Sequence, residues 1–526
     1  ADQATPAVDT VAESNLPKPS EHERRYIRVL IFATFIAGLC SIIYELLIAT
    51  TGAYFIGDSI RQFSLVIGFY MAAMGIGSFL SRLIPDENLL HTFIFIEILL
   101  GLIGGLSVPL LYFSFAFLDI FQLSVLALTS LIGLLIGMEI PFLSRLMSKH
   151  YSLKDNISNI LSVDYFGALI ATLLFPFLLL PFLGVFRSSL TFGLINMSIG
   201  FAVLYIFSDA LKVHRKKILL TYNILAFSIL LLTIIYAKTI MSSWTTHMYE
   251  DRVAYAHETP YQQIVVTKRR DDLRLFLNGN LQFSSVDEHR YHEALIHIPM
   301  SGCRCEHVLM LGGGDGLGAR ELLKYPHLKS ITLVDLDPAI TTLGKENPLI
   351  VTQNKASLLD PRVSIVNEDA FVFANKLDKK FDLIIVDLPD PNNTALARLY
   401  SREFYWLLQS ALANKGRFVT QATSPYFARE AFWSIEKTLL SSGFENVLPY
   451  HVSVPSFGEW GFLMASQSPI VLDGIPEDIS TRFLTDELIP LAQVFPKDIG
   501  RLSVKENTLD SPEILQYYLS GWKHWR

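Results

Sequence analysis

The chain is poor in cysteine and poor in net charge. It has three cysteines in 526 residues, too few for the disulfide framework of a small secreted domain. Two of them, Cys303 and Cys305, flank a single residue and are expected to be a pair of buried structural thiols. No Cys-x-x-Cys pair and no His-x-x-x-His box occurs, so no metal centre is expected. Its 43 Lys and Arg against 50 Asp and Glu give a formal charge of −7. With no basic run either, nucleic acid is excluded as a partner. The N-terminal residues lack the basic, apolar, small-residue order of a signal peptide. Residues 1–23 are polar and contain Pro, Ala and Ser, the composition of a disordered tail.

Apolar residues, by contrast, are abundant: 51% of the chain, for a mean hydropathy of +0.36. The excess is confined to the first half. Seven stretches, roughly 27–49, 62–84, 91–115, 118–140, 157–183, 188–208 and 217–237, are each long enough to cross a bilayer core, which takes ~20 residues. A multi-span membrane domain over 24–240 is therefore expected. Arg24, Arg25, Arg28, Arg82, Arg145, Lys149, Lys154, Lys212, Arg215, Lys216 and Lys217 fall on one face of it. Only Arg61 and Arg187 fall opposite. The excess of positive charge puts the N-terminus in the cytoplasm. Seven spans would then leave the second half outside, whereas a cytosolic nucleoside cofactor would require it inside. The cofactor consideration favours a cytoplasmic catalytic domain.

From residue 241 the pattern changes to short strands and amphipathic helices. Tyr261 to Val266, Leu273 to Leu277 and Leu281 to Phe283, with the turn Asn278-Gly279-Asn280, describe a small β-hairpin domain over 241–300 that leads into a helix at Asp287. Then comes Val308-Leu309-Met310-Leu311-Gly312-Gly313-Gly314-Asp315-Gly316, and about twenty residues later Val334-Asp335-Leu336-Asp337. An apolar strand, a glycine turn, a helix and a second strand ending in acid form a nucleoside-binding βαβ unit. A third strand, Phe381 to Val386, ends in Asp387-Leu388-Pro389-Asp390-Pro391. Three strands thus deliver acids to one edge of a doubly wound, Rossmann-like α/β domain over 301–470, the edge where open α/β sheets bind ligands. Residues 471–526 are expected to be a helical extension, with Ile514, Leu515, Tyr518, Leu519 and Trp522 at helical spacing.

Tyr261-Gln262, Asn278 to Gln282, Asp287-Glu288 with Tyr291-His292-Glu293, Gly312 to Gly316 with Arg320-Glu321, Asp335-Leu336-Asp337, Glu368-Asp369-Ala370 and Asp387 to Pro391 with Leu399-Tyr400 stand in one order over residues 255–465. In that order and approximate spacing they resemble the spermidine synthase, or polyamine aminopropyltransferase, family, and the first half resembles its membrane-bound branch. The resemblance implies transfer of an aminopropyl group from decarboxylated S-adenosylmethionine to an amine, releasing methylthioadenosine. It implies no metal, a small-molecule amine and a sulfonium nucleoside as partners, and a homodimer. It further implies an integral membrane protein of a bacterial inner or plasma membrane in contact with the lipid bilayer. By the same resemblance Asp387 is the general base and Asp390 holds the amine. Asp315 takes the amino group of the aminopropyl arm, Asp335 the ribose hydroxyls and Asp369, beside Glu368, the adenine amino group. Gln262, Gln282, His292, Gly312 and Gly314 complete the donor pocket, while Tyr261 and Tyr291 complete the amine side.

The chain departs from the family in two places. Asn392-Asn393-Thr394 stands where members carry Gly-Pro, and Phe457 stands where they carry an amine-binding tyrosine. Phe457 can offer only its ring face to a cation, so Glu459 and Trp460 become candidates for gripping the amine. Two alternatives follow from these departures: an enzyme that cleaves or transfers another group from S-adenosylmethionine, or a polyamine transporter or sensor with a regulatory nucleoside domain. Asp337 and Asp369 also suit helix N-caps, Asp390 a turn, and Glu321 a salt bridge. Within the apolar half stand Glu45, Glu97, Glu139 and Asp164, with no Lys or Arg deep in any span. Acids in such positions are expensive and point to function.

Overall fold

A computed structural model of the chain describes residues 21–56, 59–118, 120–148, 153–249, 251–523 and 525. The expected tail lies almost wholly outside them, as does Lys149. Two compact units are present, Ala1–Met248 and Tyr249–Arg526.

The first unit is helical: α1 (Glu21–Ile56), α2 (Ser59–Leu80), α3 (Leu89–Phe117), α4 (Phe121–Met147), α5 (Leu153–Leu174), α6 (Leu180–Ile206), α7 (Val213–Ile235) and α8 (Ala237–Met248). Among the described residues, six helical runs are long and apolar enough to cross a membrane. The fifth, Lys154–Ile206, is 53 residues long and contains two of the expected stretches. A π-turn at Phe175–Leu179 joins α5 to α6, and Gly184, at φ 66° and ψ 177°, breaks α6 near its start. Glycines let these helices close to backbone distance. A Cβ on Gly77 would lie 2.0 Å from the Leu134 carbonyl, and one on Gly137 would lie 2.1 Å from that of Met74.

The second unit opens with an antiparallel sheet, β1 (Arg252–Glu258), β2 (Gln263–Arg269), β3 (Asp272–Leu277) and β4 (Asn280–Ser284). β1 had no clear sequence signature because most of its residues are exposed. Helix α9 (Glu288–Met300) follows. The main domain then alternates β5 (His307–Gly312), α10 (Leu317–Leu322), β6 (Ser330–Asp335), α11 (Pro338–Glu346), α12 (Pro348–Asn354), β7 (Val363–Asn367), α13 (Ala370–Asn375), β8 (Phe381–Asp387), α14 (Thr394–Ala397), α15 (Arg402–Ser410), β9 (Leu412–Gln421), α16 (Arg429–Ser441), β10 (Asn446–Val454) and β11 (Gly458–Ser466). Its seven strands lie in the order β10-β11-β9-β8-β5-β6-β7. Those from β7 to β9 are parallel, and β11 inserts antiparallel between β9 and β10. Strand order reverses between β5 and β8, so the crevice above their C-terminal ends is the ligand position of this architecture.

Alternation along β5 sends Leu309 and Leu311 into one core with α15 and α16. Val308 and Met310 enter the other, with α9 and β10–β11. A strand buried on both faces reads as an unbroken apolar run, which is why β5 and β8 stand out in the sequence. The small sheet packs Ile264, Val266, Leu273 and Phe283 against Leu317, Ile340 and Leu343, beside the glycine turn.

Two expectations change. Cys303 and Cys305 are joined as a disulfide rather than left as free thiols. The intervening residue sets their Cα atoms 5.3 Å apart, inside the range a disulfide spans. The C-terminal extension is mostly irregular: among its described residues only α17 (Leu488–Leu491) and α18 (Glu513–Trp522) are helical. Side chains rather than helix bonds hold it. Arg417 donates to the Val471 carbonyl at 2.7 Å, and Trp433 Nε1 donates to that of Ile499 at 3.0 Å. The Glu293 carboxylate accepts the main-chain N–H groups of Arg482, Phe483 and Leu484 at 2.6, 2.9 and 2.9 Å.

Candidate active site

Gly312 ends β5 with φ 85°, and Gly313 follows at φ 69°, backbone states that favour glycine. Gly312 is the register partner of Asp387 at the end of β8. A Cβ on Gly312 would meet the Asp387 carbonyl oxygen at 2.0 Å. A residue with a side chain would force the two strand ends apart. Close approach thus sets the Asp387 carboxylate beside the glycine turn.

Asp387 is partly buried. Its Oδ1 accepts a 2.5 Å hydrogen bond from the hydroxyl of Tyr291 on α9, and its Oδ2 points towards Gly313. Burial, opposed by His292 and the Tyr291 bond but reinforced by Asp315, pushes its carboxyl up to about 6. Asp315 accepts from the Leu317 N–H at 2.8 Å, and burial raises it as well. Asp335, at the end of β6, accepts from the N–H groups of Gly314 at 3.1 Å and Asp337 at 3.0 Å, with burial holding it at about 6. Gly314 is required here because a Cβ would lie 2.5 Å from Asp335 Oδ2. Three carboxylates on adjoining strand ends therefore share a low-dielectric crevice and gain from any cation placed between them.

His292, 2% exposed, is fixed from behind. Its Nδ1 donates to Glu288 Oε2 at 2.8 Å, and Arg320 clamps both oxygens of Glu288 at 3.0 and 2.9 Å. Burial alone would lower His292, but the Glu288 hydrogen bond and charge raise it to about 9. Burial alone would raise Glu288, but His292 and Arg320 hold it at about 2. The pair is thus ionised at neutral pH, with the imidazolium facing Asp315 and Asp387.

On the other side of Asp387 lies Asp390. Gln421 Nε2 donates to its Oδ1 at 3.3 Å and Thr423 Oγ1 to its Oδ2 at 3.2 Å. Gln421 also holds the Tyr400 hydroxyl at 2.5 Å, and that hydroxyl donates to the Leu388 and Pro389 carbonyls. Gln421 and Thr423 were not among the sequence candidates, and Tyr400 stood only within the family motif, without a role. The signal was available, since β9 is a fourth strand that ends in polar residues at the same edge.

The aromatic wall comes from the β10–β11 hairpin. Tyr291 packs edge-on to Phe457 at 6.0 Å, and Trp460 lies 5.0 Å from Phe457. The buried indole N–H of Trp460 has no hydrogen-bond partner. The turn is fixed by Asp287, which accepts from Ser456 N–H at 2.6 Å and Oγ at 2.8 Å. Glu459 is not brought to this wall. Strand alternation sends it to the face opposite Trp460, where it pairs with His451.

The remaining candidates lie around the glycine turn. Gln262 Nε2 donates to Asp337 Oδ2 at 3.1 Å. Asp337 also caps α11 through Ala339 N–H at 3.0 Å. Gln282 is half-buried with its amide on the Asn280 carbonyl, and Tyr261 is exposed. Asp369 caps α13 through the N–H groups of Phe371 and Val372 and pairs with Arg398. Glu368 pairs with Lys376. Glu321 bridges Arg320, Lys324 and His297, the structural role expected of it. Among the described residues no cluster of His, Cys, Asp and Glu has the arrangement of a metal site.

Residues 288–472 match the spermine/spermidine synthase domain family. The polyamine aminopropyltransferase of Leptospira interrogans is 40% identical over 499 residues, covering 94% of this chain and 98% of its own. Polyamine aminopropyltransferase 2 of Ralstonia nicotianae is 41% identical over 502 residues, with 94% and 98% covered. A solved spermidine synthase from Thermotoga maritima is 23% identical, covering 47% of this chain and 85% of its own at a TM-score of 0.40.

Proposed function

The chain belongs to the polyamine aminopropyltransferase family, and from that premise we propose that its crevice moves an aminopropyl group from decarboxylated S-adenosylmethionine to an aliphatic amine. A transferase of this kind brings two cations together, one a sulfonium and the other an ammonium. The observation that carries the reading is Asp387, ionised above about 6, held by Tyr291, and adjoined by Asp315 and Asp335.

The adenosine lies over Gly312 to Gly316, with its ribose hydroxyls on Asp335 and its adenine towards Glu368 and Asp369, while Gln262 and Gln282 bound the pocket. Asp315 takes the amino group of the aminopropyl arm. The acceptor lies between Asp390 and the wall of Tyr291, Phe457 and Trp460, with Tyr261 at the mouth. Asp387 takes the proton of the attacking ammonium. The freed nitrogen pair then forms the N–C bond at the methylene next to sulfur, and the C–S electrons return to sulfur to leave neutral methylthioadenosine. A carboxyl at about 6 is a stronger base than an ordinary aspartate and is still ionised at neutral pH. Decarboxylation of the donor suits the site, because a donor carboxylate would meet Asp315 and Asp335. Phe457 offers a cation–π face worth about 0.5–2 kcal/mol in place of a hydrogen bond.

We further propose that the helical unit spans a membrane. Its six long apolar runs support this, and the 499 residues matched to the Leptospira enzyme exceed the second unit and so extend into the helices. Incubating purified protein with each sulfonium donor, with and without diamines, and assaying methylthioadenosine tests the reading. Product is expected only with the decarboxylated donor and an amine together. Product without an amine, or none under any condition, would overturn it.

A further inference from the structure

The helical unit buries charge that aminopropyl transfer does not use. Glu97 on α3 and Glu139 on α4 are 1% and 2% exposed, and their carboxyls lie against one another. Asn196 of α6 donates to the Glu97 main-chain oxygen at 3.1 Å and faces its carboxyl. From α1, Cys40 and Tyr44 face both acids. From α2, Tyr70 faces Glu139 and also Glu45, and from α5 Asp164 faces Glu139. No lysine, arginine or histidine is among these groups.

Neither carboxyl oxygen of Glu97 nor Oε1 of Glu139 has a hydrogen-bond donor. The Tyr44 hydroxyl and Asn196 Oδ1, both fully buried, are also unpartnered. Two carboxylates in contact cannot both stay ionised in a low dielectric, and a buried charge without a partner is strongly unfavourable. At least one proton or other cation between them is therefore required.

Packing limits its size. A Cβ on Gly101 would meet the Gly193 carbonyl at 3.0 Å, one on Gly104 the Tyr44 ring at 2.5 Å, and one on Gly105 the Leu230 side chain at 2.9 Å. Helices closed this tightly admit a proton more readily than a metal ion or an alkylammonium. Asp164, only partly buried, is pinned to α1 where a Cβ on Gly38 would lie 2.6 Å from its Oδ1.

We propose that Glu97 and Glu139 share one proton within the helical unit and exchange it through Asp164, making that unit a proton-binding device. Each transfer breaks one O–H bond and forms another, with the proton passing from a glutamic acid to the Asp164 carboxylate. Proton relays through membrane helices are built from such acids.

Infrared spectra of the full-length protein in lipid nanodiscs test this. At neutral pH the wild type is expected to show a protonated-carboxyl band that shifts on transfer to D2O. Glu97→Gln and Glu139→Gln should each shift the band, the double glutamine variant should remove it, and Asp164→Asn should slow its exchange at least about tenfold. Aminopropyl transfer by the second unit should be unchanged in every variant, and an unchanged helical circular-dichroism signal verifies that the helical unit folds. Absence of the band in the wild type overturns the proposal. So does a band that neither single glutamine variant moves, that survives the double variant, that vanishes on adding sodium or an alkylamine, or that exchanges equally fast in Asp164→Asn. The wild-type D2O measurement holds even if a variant fails to fold.

Discussion

Replacing Asp387 by asparagine should separate activity from stability. The amide keeps the shape of the side chain and can still accept from Tyr291, but it cannot take a proton. Loss of a positioned general base is expected to lower methylthioadenosine release by ~10²–10⁴. The stability effect has the opposite sign. The carboxyl is raised from 3.8 to about 6, mainly by burial, so the folded protein holds its proton where the unfolded chain has lost it. The associated stability is complete below 3.8 and is lost as pH rises through about 6. That rise corresponds to about 3 kcal/mol, at ~1.36 kcal/mol for each tenfold change in proton affinity. The side chain keeps some exposure, so this figure is a ceiling. Above that window Asp387→Asn should therefore outlast the wild type in thermal or denaturant unfolding of the second unit. The advantage should shrink steadily as the pH is lowered towards 4. A variant keeping more than about a tenth of wild-type turnover would refute the base assignment. An unfolding difference that ignores pH would refute burial as the cause of the raised carboxyl.

Three further outcomes follow. Tyr291→Phe removes a hydrogen bond that lowers Asp387, so the acid limb of the kcat/KM profile should move to higher pH. An unmoved limb would show that Asp387 is not the titrating group. Glu288→Gln leaves Arg320 and His292 without their shared anion, which should destabilise the second unit by roughly 3–5 kcal/mol. It should also drop the His292 titration from about 9 towards or below neutrality, readable by NMR. The wild-type stabilisation from Glu288 should be present above 4.5 and lost as pH falls through about 2. That from His292 should be present below 6.5 and lost as pH rises through about 9. Gly314→Ala places a methyl 2.5 Å from Asp335 Oδ2 and should raise the donor KM more than it lowers kcat. An unchanged KM would remove Asp335 from the nucleoside pocket.

The parts legible in the sequence were those where one chemical pattern decides one structure. Strands β5 and β8 are buried on both faces and read as apolar runs, and the glycines between Asp387 and Asp335 announce a backbone approach that no other residue allows. The structure accordingly brings the carboxylates and Tyr291 together. Long-range partnerships were not legible. Nothing near Gln421 or Thr423 in the chain indicates Asp390, because β8 and β9 become neighbours only after α14 and α15 are placed. Glu459 was misassigned because its face depends on the register of β11, which the hairpin turn at Ser456 sets. The C-terminal extension was expected to be helical because the periodicity of 514–522 is strong, while the irregular stretch before it is held by distant groups such as Arg417 and Glu293. The helical unit has a similar divide: its apolar runs are plain, but the meeting of Glu97 with Glu139 is a product of packing.

Helix α9 carries Tyr291, His292 and Glu293 side by side, and the last of these grips the main chain at 482–484. Peeling that segment away would strand a buried carboxylate with three empty lone pairs one residue from the imidazolium. The tail is thus a clasp rather than a trailing end. Protection of the Arg482 to Leu484 amides from exchange and catalytic competence should fail together, since loosening the clasp tilts the same turn of helix whose Tyr291 hydrogen-bonds Asp387.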